Sequence, residues 1–244
     1  MNNYYGQQRW NEYDKPTEHL STGVINDFLR MVYFIMSAGL VITGFSAYLF
    51  ANYMETNAEF MLTVFTTPLK YVLMFAPLAF VLVLSFGINR MSYSMATLLF
   101  GAYAVVMGLS LSFIFLVYTS GSIAATFFTA AGTFGAMAFI GMFTKMDLSK
   151  VGSYAMMALI GIIIASIINI WIGSSTLAFI VSILGVLIFC ALTAYDTQKI
   201  MRMGLSLNPT SDEARKGAII GALTLYLDFI NLFLYLLRFM GNRR

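Results

Sequence analysis

At 244 residues, with 59% hydrophobic and only 10% charged side chains, the chain is too apolar for a soluble domain, which carries about 25% charged residues. Its mean hydropathy is +0.80, and its net charge of +3 is scattered, giving no basis for nucleic-acid binding. The one cysteine, Cys190, has no intrachain partner, and the one histidine, His19, precedes the first apolar run, which argues against a membrane-embedded histidine relay or a zinc site.

Residues 1–28 are polar and tyrosine-rich, with mixed charges and no apolar core. They do not read as a cleavable signal peptide, which needs a basic start and a short apolar stretch. A cytoplasmic tail is expected, its aromatics free to rest on a membrane interface. Seven apolar runs follow, near 29–52, 69–90, 95–118, 123–143, 151–172, 176–201 and 215–240, each about the length of a bilayer crossing. Residues 29–244 therefore read as one all-α, seven-span domain. The joints at 119–122 and 173–175 are short enough to force antiparallel neighbours.

Orientation follows from Lys and Arg in the short loops. The N-terminal tail carries Arg9, Lys15 and Arg30; loop two carries Arg90, loop four Lys145 and Lys150, and loop six Lys199, Arg202, Arg215 and Lys216. Apart from Lys70 at the edge of span two, the other loops hold no cation. A cytoplasmic N-terminus is expected, and Arg238, Arg243 and Arg244 then lie on the far side, against the trend. A full seventh crossing is favoured over a re-entrant one, because an uninterrupted helix satisfies its own backbone. Pro77, inside span two, frees a carbonyl and marks a candidate kink. Gly132 with Ala136, and Gly217 with Gly221, are candidate close-approach pairs.

The last span, GAIIGALTLYLDFINLFLYLLR, carries Asp228 near its middle. Gly217, Gly221, Thr224, Asp228, Asn231, Tyr235 and Arg238 follow one another at steps of four and three, so they share one helix face. A carboxylate at mid-membrane costs about 3 kcal/mol on insertion scales. It is tolerated facing protein or a water-filled cavity, and marks a functional-site candidate. Span six ends CALTAYDTQKI, with Asp196 near the expected inner surface. Asp196 has two readings: a local pair with Lys199, or a pair with Asp228 across adjacent helices. Two carboxylates about 4 Å apart repel by roughly 4 kcal/mol at an effective dielectric of 20. At least one is then protonated near neutral pH, the pair titrates as a unit, and once ionised it suits a hard cation such as Ca²⁺. Meeting Asp196 requires the seventh helix to begin well outside the membrane or to bend; Pro209 with Thr210 or Ser211 as N-cap allows such a start. Arg90 reads either as a positive-inside anchor or as a latch pairing with ionised Asp196. Thr224, Asn231 and Arg238 form the rest of the polar stripe, and Arg238, about 15 Å from Asp228 along the axis, is too far to pair with it.

AYDTQKI followed by LYLDFINLFLYLLRFMG, together with NRMS at the end of span two, resembles the Bax inhibitor-1 (transmembrane Bax inhibitor motif) family, especially its bacterial members. The resemblance spans essentially all seven runs. It implies a seven-helix bundle with the last helix central, a bacterial inner-membrane location and a pH-sensitive Ca²⁺ leak. It also implies a gate formed by the aspartate pair Asp196 and Asp228, with Arg90 as candidate latch. Two departures stand out. The aspartates are further apart in sequence than is usual in the family, by about two helical turns. Span two has no acidic residue over 71–89.

Neither an enzyme nor a cofactor is expected. An intramembrane aspartyl protease would need Gly-x-Gly-Asp where 225–228 read Leu-Tyr-Leu-Asp, and a retinal protein would need a lysine in the seventh span. Besides Ca²⁺, protons and the bilayer, the alternative partner is a membrane-anchored ATP-dependent protease, which some bacterial relatives are implicated in modulating; the polar tail would be the contact. A proton-coupled carrier is a third reading, without an identifiable substrate pocket.

Overall fold

The computed structural model describes residues 15–208 and 211–244, with side chains from residue 25 onward. Nine α-helices account for nearly all of these residues: α1 (Lys15–Thr56), α2 (Ala58–Thr66), α3 (Leu69–Gly87), α4 (Tyr93–Leu111), α5 (Phe113–Val117), α6 (Ser120–Phe143), α7 (Ser149–Ile172), α8 (Ser175–Ser206) and α9 (Asp212–Met240). Together they supply seven stretches long and apolar enough to cross a membrane. These agree with the expected runs to within a few residues at most ends. The last helix is continuous to Met240, as a full crossing requires.

Local chemistry sets the boundaries. The hydroxyls of Ser92, Thr119, Ser174 and Ser211 accept from the amides of Met95, Ser122, Leu177 and Ala214, capping α4, α6, α8 and α9. Asp212 and Glu213 follow in the first turn of α9, where the helix dipole favours negative charge. Between α7 and α8 the chain reverses at Gly173, the one described residue with positive φ, at 68°. Three features depart from expectation. The first helix already begins at Lys15, inside the segment read as a tail; the tail's first fourteen residues lie outside the described ones. Helix α2 occupies the joint expected to be a loop and buries its Val64 against Met54 and Leu73. The third span breaks at Ser112, whose hydroxyl donates to the Leu109 carbonyl (2.7 Å).

Packing grades the helices. In α9, 67% of the apolar window is buried; the figure is 44% for α8, at most 28% for the rest and 11% for α7. Helix α9 packs against α8, α1, α6 and α4, whereas α3 touches mainly α4 and α2. The outward faces carry Phe86, Ile170 and Trp171, each more than three-quarters exposed, as side chains that face lipid would be. Helix α3 runs on through Pro77. Gly132 faces open space, so it is no close-approach site; Gly217 and Gly221 are, against α8.

At the far end the chain folds back. Asn242 accepts from the Thr119 amide (3.1 Å), the Arg244 amide donates to Val117 O (2.9 Å), and the Arg244 guanidinium pairs with Glu55 (2.6 Å). Gly241 permits this return, since a Cβ there would meet the Leu237 carbonyl and the Tyr118 ring.

Candidate functional site

The polar stripe of α9 faces α8. Gly217 lies against Leu207 and Met203, Gly221 against Ile200, and Tyr235 against Gly185 and Phe189. In this antiparallel register Asp228 comes opposite Asp196, and the two carboxyl groups adjoin within side-chain hydrogen-bonding range. The depth mismatch is resolved by unequal helix lengths. Helix α8 continues ten residues past Asp196, about 15 Å, whereas α9 starts sixteen residues before Asp228, about 24 Å. Helix α9 thus begins well beyond the end of α8 along the bundle.

Both carboxyls are withdrawn from solvent: Asp196 is 7% and Asp228 5% exposed. Asp228 Oδ2 is buried with no hydrogen-bond donor among the described residues. A cleft of about 430 Å³ opens between α8 and α9, lined by Asp196, Lys199, Arg202, Ser206, Gly221 and Thr224, so Asp196 borders it while Asp228 does not. Lys199 is close enough to Asp196 to act on it electrostatically, but no ion pair joins them; its ammonium lies 5.9 Å from the Tyr195 ring centre. The local Asp196–Lys199 pair is thus not formed, and the interhelical one is. On the α1 side, Tyr33 faces Thr197.

The other expected residues separate. Arg90 ends a 3₁₀ turn (Ile88–Arg90), is exposed and makes no ion pair with Asp196 among the described residues. It sits at the cleft's end of the bundle, since Lys216 of α9 donates to the next carbonyl, Met91 O (3.4 Å). Thr224 donates to Ile220 O and Asn231 to Leu227 O, so each bonds its own helix, and Thr224 alone borders the cleft. Arg238 lines a separate cavity at the opposite end.

Two polar arrangements escaped the sequence reading. Gln198 accepts from the Leu148 amide (2.9 Å) and donates to Met146 O (2.8 Å), while Arg202 donates to Gln198 Oε1 (3.0 Å) and Asp147 (2.9 Å). This clamp ties the α6–α7 joint to α8. Asp147 also accepts from the Ser149 hydroxyl and amide; those bonds and Arg202 hold its carboxyl down at about 2, against an ordinary 3.8. Asp-x-Ser ahead of an apolar run was the available signal. Deeper, the hydroxyls of Thr43 and Tyr226 share a hydrogen bond (2.7 Å), and Thr43 also donates to Ala104 O (2.9 Å), beside the rings of Tyr103 and Phe100. Nothing in the periodicity of α1 marks Thr43 as a partner of α9.

Seven apolar helices around a carboxyl pair on the last two spans define an integral, multi-pass membrane protein. The chain matches the family described as Inhibitor of apoptosis-promoting Bax1 over residues 25–244, and it belongs to that Bax inhibitor-1 family. It is 47% identical to the Inner membrane protein YbhL of Escherichia coli K12, over 90% of this chain and 93% of that protein. It is also 44% identical to an uncharacterized protein of Borreliella burgdorferi (90% and 93% covered) and 43% to the uncharacterized protein RP147 of Rickettsia prowazekii (89% and 90%).

Proposed function

We propose that this chain is a pH-sensitive Ca²⁺ leak of the bacterial inner membrane, with an N-terminus in the cytoplasm, gated by the Asp196–Asp228 pair. The observation that carries the reading is the adjoining of two buried carboxyls with no outside donor for Asp228 Oδ2. An ionised carboxylate only accepts, so two that adjoin while largely withdrawn from solvent need a proton between them. The cleft beside Asp196 is the route by which that proton exchanges. Lys199, Arg202 and the Tyr33 hydroxyl are the other titratable groups around this end of the pair.

Ca²⁺ fits as cargo rather than as a resident ion. It takes six to eight oxygens, and no third His, Cys, Asp or Glu joins the two aspartates among the described residues. The carboxyl pair, with the Thr224 hydroxyl nearby, offers a passing cation oxygen ligands without trapping it. Arg90 serves as the latch by swinging to Asp196 once that carboxyl ionises. No catalytic group or cofactor enters this scheme. The alternative is a regulator that binds a membrane-anchored ATP-dependent protease through the N-terminal tail; the buried carboxyl pair is the observation that supports the leak instead.

The test is Ca²⁺ flux into proteoliposomes across pH, comparing the native chain with Asp196→Asn and Asp228→Asn. The proposal expects a pH-dependent flux that flattens in both variants. Unchanged pH dependence in both would sink the gating scheme, and no native flux would favour the regulator.

A further inference from the structure

At the end of the bundle opposite the aspartate cleft, a cavity of about 410 Å³ is lined by Arg238, Arg243, Asn169, Ser174 and Ser175, with Phe179 at its edge. Its lining holds no carboxylate. Of the three arginines at this end, Arg244 is neutralised by Glu55, whereas Arg238 and Arg243 make no ion pair among the described residues. They converge because the chain folds back at Gly241: the Asn242–Thr119 and Arg244–Val117 backbone bonds on either side of Arg243 hold it beside the start of α8. Arg238 reaches the same cavity from the last turn of α9. Ser175 and Thr176, in the first turn of α8, have amides with no carbonyl partner within the helix, and they add partial positive charge.

The surroundings identify what covers this charge. Phe179 lines the cavity and packs at a tilt on Phe239 (ring centres 5.6 Å apart), and Trp171, 78% exposed, lies on the last turn of α7 two residues before the cavity's Gly173, aromatics of the kind that sit at headgroup level. From Phe179 an exposed apolar stripe runs down α8 through Ile183 and Leu187, with Ile180 and Leu184 alongside. A cationic cavity above a lipid-facing apolar stripe matches a molecule with an anionic head and hydrocarbon tails. We propose that Arg238 and Arg243 bind the phosphodiester of an anionic phospholipid, its acyl chains lying along the exposed face of α8. Each guanidinium presents a planar fork of donors that suits phosphate oxygens. Basic pockets between membrane helices bind anionic headgroups at the cytoplasmic face, and the same guanidinium–phosphate chemistry holds at the opposite one. The inference also explains the far-side arginines: in the orientation expected from loop charges they sit where cations are otherwise avoided, and a lipid phosphate neutralises them. It does not depend on ion conduction.

The experiment compares retention of phosphatidylglycerol and phosphatidylcholine by detergent-purified protein, using native mass spectrometry. Native protein is expected to retain phosphatidylglycerol preferentially, and Arg238→Gln/Arg243→Gln to lose that preference by about tenfold. Lys145→Gln/Lys150→Gln, removing the same charge elsewhere, should keep it. Arg238→Lys/Arg243→Lys keeps the charge and the fold-back while losing the forks, and should fall between. Equal loss in the lysine-to-glutamine control would show a bulk-charge effect and overturn the site. So would an unchanged preference in the folded arginine variants, or displacement of the lipid by millimolar inorganic phosphate, which would make this a soluble-anion site.

Discussion

Tyr235 lies on Gly185, its ring occupying the space that a Cβ at that position would need. The contact sets how closely α8 and α9 approach, and with Gly221 on Ile200 it fixes the register that brings Asp196 to Asp228. Replacing Gly185 by Ala forces the ring or the helix to move, and overpacking of this kind costs about 1–3 kcal/mol. Gly185→Ala is therefore expected to lower the thermal midpoint in detergent, while Gly132→Ala, in the interior of α6 and facing open space, keeps or slightly raises it because Ala is the better helix former. Equal midpoints for the two variants would show that the α8–α9 register tolerates slack.

The Thr43–Tyr226 hydrogen bond predicts an asymmetry. Tyr226→Phe removes one hydroxyl, and Thr43 keeps its bond to Ala104 O, so the loss is about 1 kcal/mol. Thr43→Val instead strands the fully buried Tyr226 hydroxyl, which costs about 1–3 kcal/mol. Chemical unfolding of both variants should rank Thr43→Val as the more damaging; the reverse order would mean that Tyr226 finds another partner.

The Asp147 clamp carries a definite pH sign. Its carboxyl is held at about 2 against an ordinary 3.8, first by the Ser149 hydroxyl, then by the Ser149 amide and Arg202. A depressed value means that the stabilisation is fully present above the ordinary range and is lost as pH falls through it towards 2. The group is exposed, so its effect is local. Carbon-detected NMR of the Asp147 carboxyl should show a midpoint near 2 that returns towards 3.8 in Ser149→Ala. A native midpoint at the ordinary value would refute the clamp.

Much of this was legible in the sequence because a bilayer is a simple solvent. Seven long apolar runs had to be helices, and Asp228 had to face protein. The Asp196–Asp228 pair was legible as a hypothesis, but its depth was not: that depends on where α9 starts relative to the end of α8, which a capping serine and two acids indicate only loosely. Helix α2 is not legible in the sequence because a nine-residue amphipathic segment beside a span reads as a loop. The Thr43–Tyr226 and Gln198–Leu148 bonds join residues far apart in sequence, and no local period marks them. The far-side arginines stand out in the sequence as an exception to the loop-charge trend; only the fold-back at Gly241 places Arg244 with Glu55 and the other two beside a cavity.

Arg90 supplies the sharpest test of the gating scheme, because it makes no ion pair with Asp196 in this structure. A latch that forms only when Asp196 is ionised should be absent while a proton is shared between the carboxyls, and its removal should matter only on the alkaline side. Arg90→Gln is therefore expected to raise Ca²⁺ flux at the higher pH by about two- to fivefold, the factor that 0.4–1 kcal/mol of a solvent-accessible ion pair corresponds to. Flux at low pH should be unchanged. Combining Arg90→Gln with Asp196→Asn should add nothing to Asp196→Asn alone, since the latch has then lost its partner. Additive effects would assign Arg90 to membrane anchoring and leave Lys199, the cation nearer Asp196 along α8, as the counter-charge of the gate.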